Sequence, residues 1–172
     1  MDTKALTPDM TDLAAVAEGD GDHRFFLNHL ATVKVSAGSS LSGMNVVEFD
    51  APKDFGPPLH QHEHEDEIMF VISGEVLLLV GEERVIAGPG TVVSLPAQVP
   101  HIFQVVSESA RFLTVTSGSS GRPTFDRFVQ ELGAPVDPDA LPEPGPVDPG
   151  YLAQVAAAYD IEILGPPLAA MA

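Results

Sequence analysis

Between residues 25 and 117 no apolar run is long. The stretches Leu30 to Val35, Met44 to Phe49, Glu67 to Ile72, Val76 to Val80, Arg84 to Ile86, Thr91 to Leu95, His101 to Val106 and Phe112 to Thr116 are short and rich in β-branched residues. Each is cut off by turn chemistry, such as Ala37-Gly38-Ser39-Ser40, Pro52 to Pro58, Ser73-Gly74, Gly88-Pro89-Gly90 and Pro96 to Pro100. Segments of this length and spacing predict an all-β sandwich or barrel. No internal repeat is evident, so the chain predicts one barrel.

The flanks read differently. Residues 1–24 form an N-terminal extension, in which Asp9 could cap a short helix carrying Met10, Leu13, Ala14 and Ala17. The barrel is expected over 25–120. Residues 121–172 then form a helical tail packed on it. Pro123 to Leu132 reads as a helix with Phe125, Phe128, Val129 and Leu132 on one side and Gly133 as its stop. Ala134 to Gly150 is a proline-rich connector, Tyr151 to Tyr159 a second short helix, and Ile161 to Pro167 an apolar tail.

Composition excludes several functions. Eight Lys and Arg stand against 25 Asp and Glu, for a net charge of -17. Such a chain repels phosphate backbones and anionic membrane surfaces, so neither nucleic acid nor membrane is an expected partner. It is still 44% hydrophobic, enough for a core. With no cysteine, disulfides, thiol catalysis and thiolate metal sites are excluded. The start of the chain lacks the pattern of a secretory signal, and no apolar run approaches a membrane span, which makes a cytoplasmic protein the expectation. There is no phosphate-binding glycine loop and no GxSxG nucleophile elbow.

The chemistry concentrates in one place. His60-Gln61-His62-Glu63-His64 puts three histidines in five residues, followed by Glu65, Asp66 and Glu67. In a strand, His60 and His62 share a face, and paired neutral imidazoles suit a borderline metal ion. Glu67 lies an odd number of residues from His62, so a turn across Glu63 to Asp66 must intervene before Glu67, Met69 and Val71 can face inward. His101 follows the rigid Pro96 to Pro100 turn, which can aim it at the same point. The alternative is a solvated, histidine-rich surface loop.

Gly56, His60, His62, Glu67 and Gly74 resemble the first cupin motif, with six residues between Glu67 and Gly74 as that motif has. Gly90, Pro96 and His101 resemble the second. Three residues, Pro57 to Leu59, stand where the first motif usually has five. Gln98 stands where the second usually has glycine, and Val105 where asparagine is frequent. Met69-Phe70 replaces the usual Phe-Tyr pair after the glutamate. The resemblance, to small single-domain bacterial cupins of the quercetinase-like group, spans about residues 25 to 133. It implies a double-stranded β-helix, the cupin jelly-roll barrel, with short C-terminal helices, and an edge-to-edge homodimer. It also implies one divalent transition metal (Fe, Mn, Ni, Co, Cu or Zn) held by His60, His62, Glu67 and His101, with Glu67 as catalytic base toward a substrate hydroxyl. The implied activity is that of a metal-dependent dioxygenase on a small aromatic or enolisable substrate. The alternatives are a non-oxidative isomerase, cyclase or dehydratase, or a non-catalytic small-molecule-binding protein.

The remaining residues have simpler readings. Met69, Val71 and Phe103 share the ligands' parity and are candidates for the substrate pocket, with core packing as the equal alternative. His64 is expected in the turn, facing solvent. His23 and His29 are expected at the surface or as capping residues. Glu63, Glu65 and Asp66 read as a solvated acidic turn, and Asn45 as an edge or surface residue that could instead face substrate.

Overall fold

A computed structural model describes residues 15–118, 122 and 124–170. Its strands follow the short apolar runs: β1 (Asp22–Phe26), β2 (His29–Val35), β3 (Asn45–Pro52), β4 (His60–His62), β5 (Asp66–Ser73), β6 (Val76–Val80), β7 (Glu83–Ala87), β8 (Val92–Leu95), β9 (His101–Val105), β10 (Ser109–Ser117), β11 (Ala134–Pro135) and β12 (Ile161–Ile163). Two helices, α1 (Phe125–Leu132) and α2 (Pro149–Ala158), complete the tail. The helix expected from Met10 falls largely outside the described residues, and the sheet begins at Asp22, inside the segment expected to be an extension.

All strand pairs are antiparallel. One sheet runs β11-β1-β2-β3-β10-β5-β8 and the other β12-β4-β9-β6-β7, and together they form a jelly-roll barrel. The alternation of side chains fills the space between the sheets. On β10, Ala110, Phe112, Thr114 and Thr116 are buried and their neighbours are not, and on β5 the buried set is Glu67, Met69 and Val71. The central layer is Val47, Phe49, Met69, Val71, Leu78 and Phe112. Asn45 is also on this inner side and fully buried, which corrects its expected edge or surface position.

The tail is part of the barrel. The strand β12 pairs along β4, with Ile161 opposite His62 and Ile163 opposite His60. The helix α1 packs on β1, β2, β3 and β11, and α2 packs on β12 and α1. Asp148 caps α2 by accepting from the Gly150 and Tyr151 N–H groups, at 2.8 and 3.2 Å. Among the described residues, no helix is long and apolar enough to cross a membrane.

Two glycines of the first motif have steric explanations. A Cβ on Gly56 would lie 2.0 Å from the Phe103 carbonyl oxygen, and one on Gly74, whose φ is +76°, 2.2 Å from that of Ser109. Both neighbours are backbone and cannot step aside. Gly56→Ala should therefore lose on the order of 1–3 kcal/mol, as overpacking does. For a chain of this size that lowers the melting temperature by roughly 2–4 °C per kcal/mol, read by calorimetry.

Candidate metal centre

The short strand β4 is edged by β9 on one side and β12 on the other, and His60 stands directly opposite His101. His60 and His62, two apart, both turn inward. The Glu63 to Glu65 turn is pinned from both flanks: Glu63 N–H donates to Asp160 O at 2.9 Å, and Gln98 N–H to His62 O at 2.8 Å. Past the turn, β5 presents Glu67 on the same inner face. Gln98 adopts φ +64°, the left-handed conformation that glycine takes most easily, so the backbone course is kept without the glycine.

His60, His62 and His101 each offer a ring nitrogen, and these atoms all lie within 4.8 Å of one another. The ring centroids of His60 and His101 are 4.4 Å apart. Glu67 Oε2 is 3.5 Å from His62 Nε2 and 3.7 Å from His101 Nε2. His62 and His101 are each 2% exposed and Glu67 5%. The Nε2 atoms of His62 and His101 have no hydrogen-bond partner among the described residues. Unpaired imidazole nitrogens converging beside a buried carboxylate fit a divalent metal ion, because a buried acceptor left unpaired otherwise costs about 1–3 kcal/mol.

The tautomers are set by the backbone. His60 Nδ1–H donates to Pro58 O at 2.8 Å, and His101 Nδ1–H donates to Val99 O at 2.9 Å. Each ring thus keeps its Nε2 lone pair for the centre. Burial, reinforced by the neighbouring His101 and His62, pushes the pKa of His60 well below its ordinary value. Burial likewise lowers that of His101, against an opposing pull from Glu67. Both imidazoles stay neutral, the form a metal needs.

Two of the simpler readings are overturned. Glu65 is not part of a solvated turn: it is 4% exposed. Its Oε1 accepts from the Thr116 hydroxyl at 3.2 Å and from Phe125 N–H, the first residue of α1, at 3.3 Å. Its Oε2 lies 3.8 Å from His62 Nδ1. Glu65 shares the parity of Glu67, and that alternation was the signal for it. His29 is not a surface residue either: it is 1% exposed, with Nδ1–H donating to Leu27 O at 3.3 Å. The other residues of the turn do reach solvent: Asp66 is exposed, while Glu63 and His64 are half-buried.

A cavity of about 50 Å³ adjoins the cluster. His60, Glu67, His101 and Phe103 line it, with Phe49 and Phe55 from the barrel and Phe125, Leu152 and Ile161 from the tail. Met69 and Val71 are fully buried in the central layer and are absent from the cavity wall. Parity put them on the inner face, where they pack in the core and do not line the cavity.

Residues 46–116 match the Cupin_2 family, described as a cupin domain. The chain is similar to the quercetin 2,3-dioxygenase of Bacillus subtilis, 28% identical over 98 residues that make up 57% of this chain and 29% of that protein. It is similar to an uncharacterized protein of Streptomyces coelicolor, 42% identical over 65 residues, 37% of this chain and 62% of the other. The chain thus spans less than two thirds of either relative. Among solved structures, KdgF from Halomonas sp. shares the fold with a TM-score of 0.56 at 14% identity, over 64% of this chain and 97% of that one.

Two outcomes follow from the geometry. Glu65→Gln keeps the acceptor for Phe125 N–H and Thr116 but turns a donor toward His62. Removing the carboxylate charge 3.8 Å from His62 Nδ1 should lower zinc or cobalt affinity, read by competition with a chelating dye, by up to the roughly 10–100-fold that loss of a full outer partner of a ligand histidine costs. The second concerns acid. Burial pushes the pKa of His29 down to about 3, whereas in the unfolded chain it is near 6.5. Below that value the unfolded chain binds a proton that the folded one refuses. Stability is full above it and declines as pH falls, by about 1.4 kcal/mol per pH unit between roughly pH 6 and 4. Denaturant midpoints across that range should flatten in His29→Phe.

Proposed function

Because this chain belongs to the cupin superfamily, we propose that it is a metal-dependent enzyme, a dioxygenase of the quercetinase-like type acting on a small aromatic or enolisable substrate. The observation that carries this reading is the convergence of three buried imidazoles on one point beside the Glu67 carboxylate. The stretch shared with quercetin 2,3-dioxygenase supports it. The fold alone does not choose a chemistry.

His60, His62, Glu67 and His101 would hold the ion, of Fe, Mn, Ni, Co, Cu or Zn. Such an ion supplies Lewis-acid polarisation of a substrate oxygen and, when redox-active, a partner for dioxygen. The protein residues do the rest. Glu67 lines the cavity and is placed to take the proton of a substrate hydroxyl or enol on a carboxylate oxygen. Phe49, Phe55, Phe103 and Phe125 keep bulk water away, which strengthens each charge interaction inside.

Metal analysis of the purified protein, with oxygen uptake over a panel of small catechols and β-diketones, tests the reading. One metal per chain is expected, with affinity at least about 100-fold weaker in His62→Ala and Glu67→Ala, a larger loss than for an outer partner. Turnover without oxygen uptake would replace the dioxygenase by an isomerase, cyclase or dehydratase. Ligand binding without turnover would leave a small-molecule-binding protein. A wild type that takes no metal under any reconstitution ends the proposal.

A further inference from the structure

Three histidines of the cavity wall are held in one way. Like His60 and His101, His29 donates its Nδ1–H to the carbonyl two residues earlier. A carbonyl only accepts, so Nδ1 of His29 carries the proton and Nε2 the lone pair. His29 is outside the three-histidine cluster, yet it lines the same cavity. Its Nε2 is buried without a partner among the described residues, and so is the hydroxyl of Thr114, which lines that cavity too. The rest of the wall away from the cluster is apolar.

Stability does not explain this histidine. Its ring is boxed by Phe55, Phe49 and Phe26, with centroids at 3.8, 5.3 and 5.7 Å, a setting where phenylalanine would strand no side-chain polar atom and would forgo only the 3.3 Å bond to Leu27 O. The hairpin that positions it is strained. Strands β1 and β2 close through Leu27 and Asn28, at φ +47° and +71°, and leucine adopts that conformation only at a cost. Asn28 holds the turn by exchanging two hydrogen bonds with Gly145, at 2.8 and 3.0 Å. A strained, clamped turn that presents an unpaired acceptor at a cavity is the pattern of a recognition element.

We propose that His29 Nε2 accepts a hydrogen bond from a hydroxyl or N–H group of the substrate, with the Thr114 hydroxyl as a second polar contact. The site thereby selects largely apolar molecules that carry such a donor. The inference rests on reading the cavity as a substrate site. Burial keeps the His29 imidazole neutral, so it remains an acceptor throughout the neutral range.

Phenol and fluorobenzene are close in shape, and only phenol donates. Each is titrated by NMR into the metal-free and the zinc-loaded protein, with the imidazole nitrogens of His29 observed directly. Phenol should bind about tenfold more tightly, the usual effect of stranding or satisfying one buried polar group. Its binding should shift the Nε2 resonance. His29→Phe should abolish the preference and leave the affinity for fluorobenzene within about twofold, as expected when only one hydrogen bond is removed. Equal affinities in the wild type, no binding of either probe, or a preference that persists in His29→Phe would overturn the proposal. Should that variant not fold, the Nε2 resonance of the wild type decides alone, and a signal unmoved by phenol rejects it. The zinc titration reports separately on the metal reading: a protein that prefers phenol but takes no zinc loses the metal and keeps the His29 contact.

Discussion

The centre hangs on a strand of three residues. The strand β4 is too short to hold its own geometry, and its order comes from what lies on its two edges. On one side His60 meets His101 of β9; on the other, Ile161 and Ile163 of β12 run along His62 and His60. Leu59, just before the strand, exchanges backbone hydrogen bonds with Leu164, Gly165 and Pro166. Without β12, this strand would be a sheet edge next to a cavity, with unpaired backbone groups and freedom to slip. A slip of one residue would turn both histidines outward. The tail is therefore a structural member of the site.

The same arrangement concentrates polar groups where they are costly. Four imidazoles and two carboxylates, Glu65 and Glu67, are buried close to the cavity. Several of their atoms have no partner among the described residues, and each such atom costs about 1–3 kcal/mol. The surrounding core of phenylalanine and valine offsets that cost without relieving it. A cation bound by the cluster relieves it directly, which couples metal binding to stability. The overall charge of -17 acts in the same direction, because a strongly negative surface raises the local concentration of cations.

Much of this was legible before any coordinates. Turn chemistry marked most strands of the barrel, since glycine and proline act locally and their effect does not depend on the fold. The pairing of His60 with His62 followed from strand alternation. What escaped depended on long-range partners. The strand β1 has mixed polarity (Asp22-His23-Arg24-Phe25-Phe26) and exists because β2 and β11 flank it. In the same way, β12 is three residues of an apolar tail that become a strand only against β4. Glu65 looked like its acidic neighbours because its parity with Glu67 was the one local sign, and the partners that close over it, Thr116 and Phe125, are distant in the chain. His29 was misjudged for the same reason: the aromatic box around it is assembled from Phe26 of β1, Phe49 of β3 and Phe55 of the loop that follows.

The line between local and non-local information also separates two kinds of specificity. The residues that would hold an ion lie in compact motifs, where spacing alone brings donors together. The wall that decides which molecule can approach is drawn from β1, β2, β3, β9, β10, α1, α2 and β12, and no short segment contains it. In a jelly roll, the barrel that orients the donors can therefore stay constant while the tail and the first hairpin reshape the cavity. Here the tail contributes Phe125, Phe128, Leu152, Ile161 and Ile163, all apolar, and the first hairpin contributes Leu27 and His29. The polar choice away from the donor cluster thus falls mainly to the hairpin. It is there, at Leu27 and Asn28, that two successive residues other than glycine both adopt positive φ.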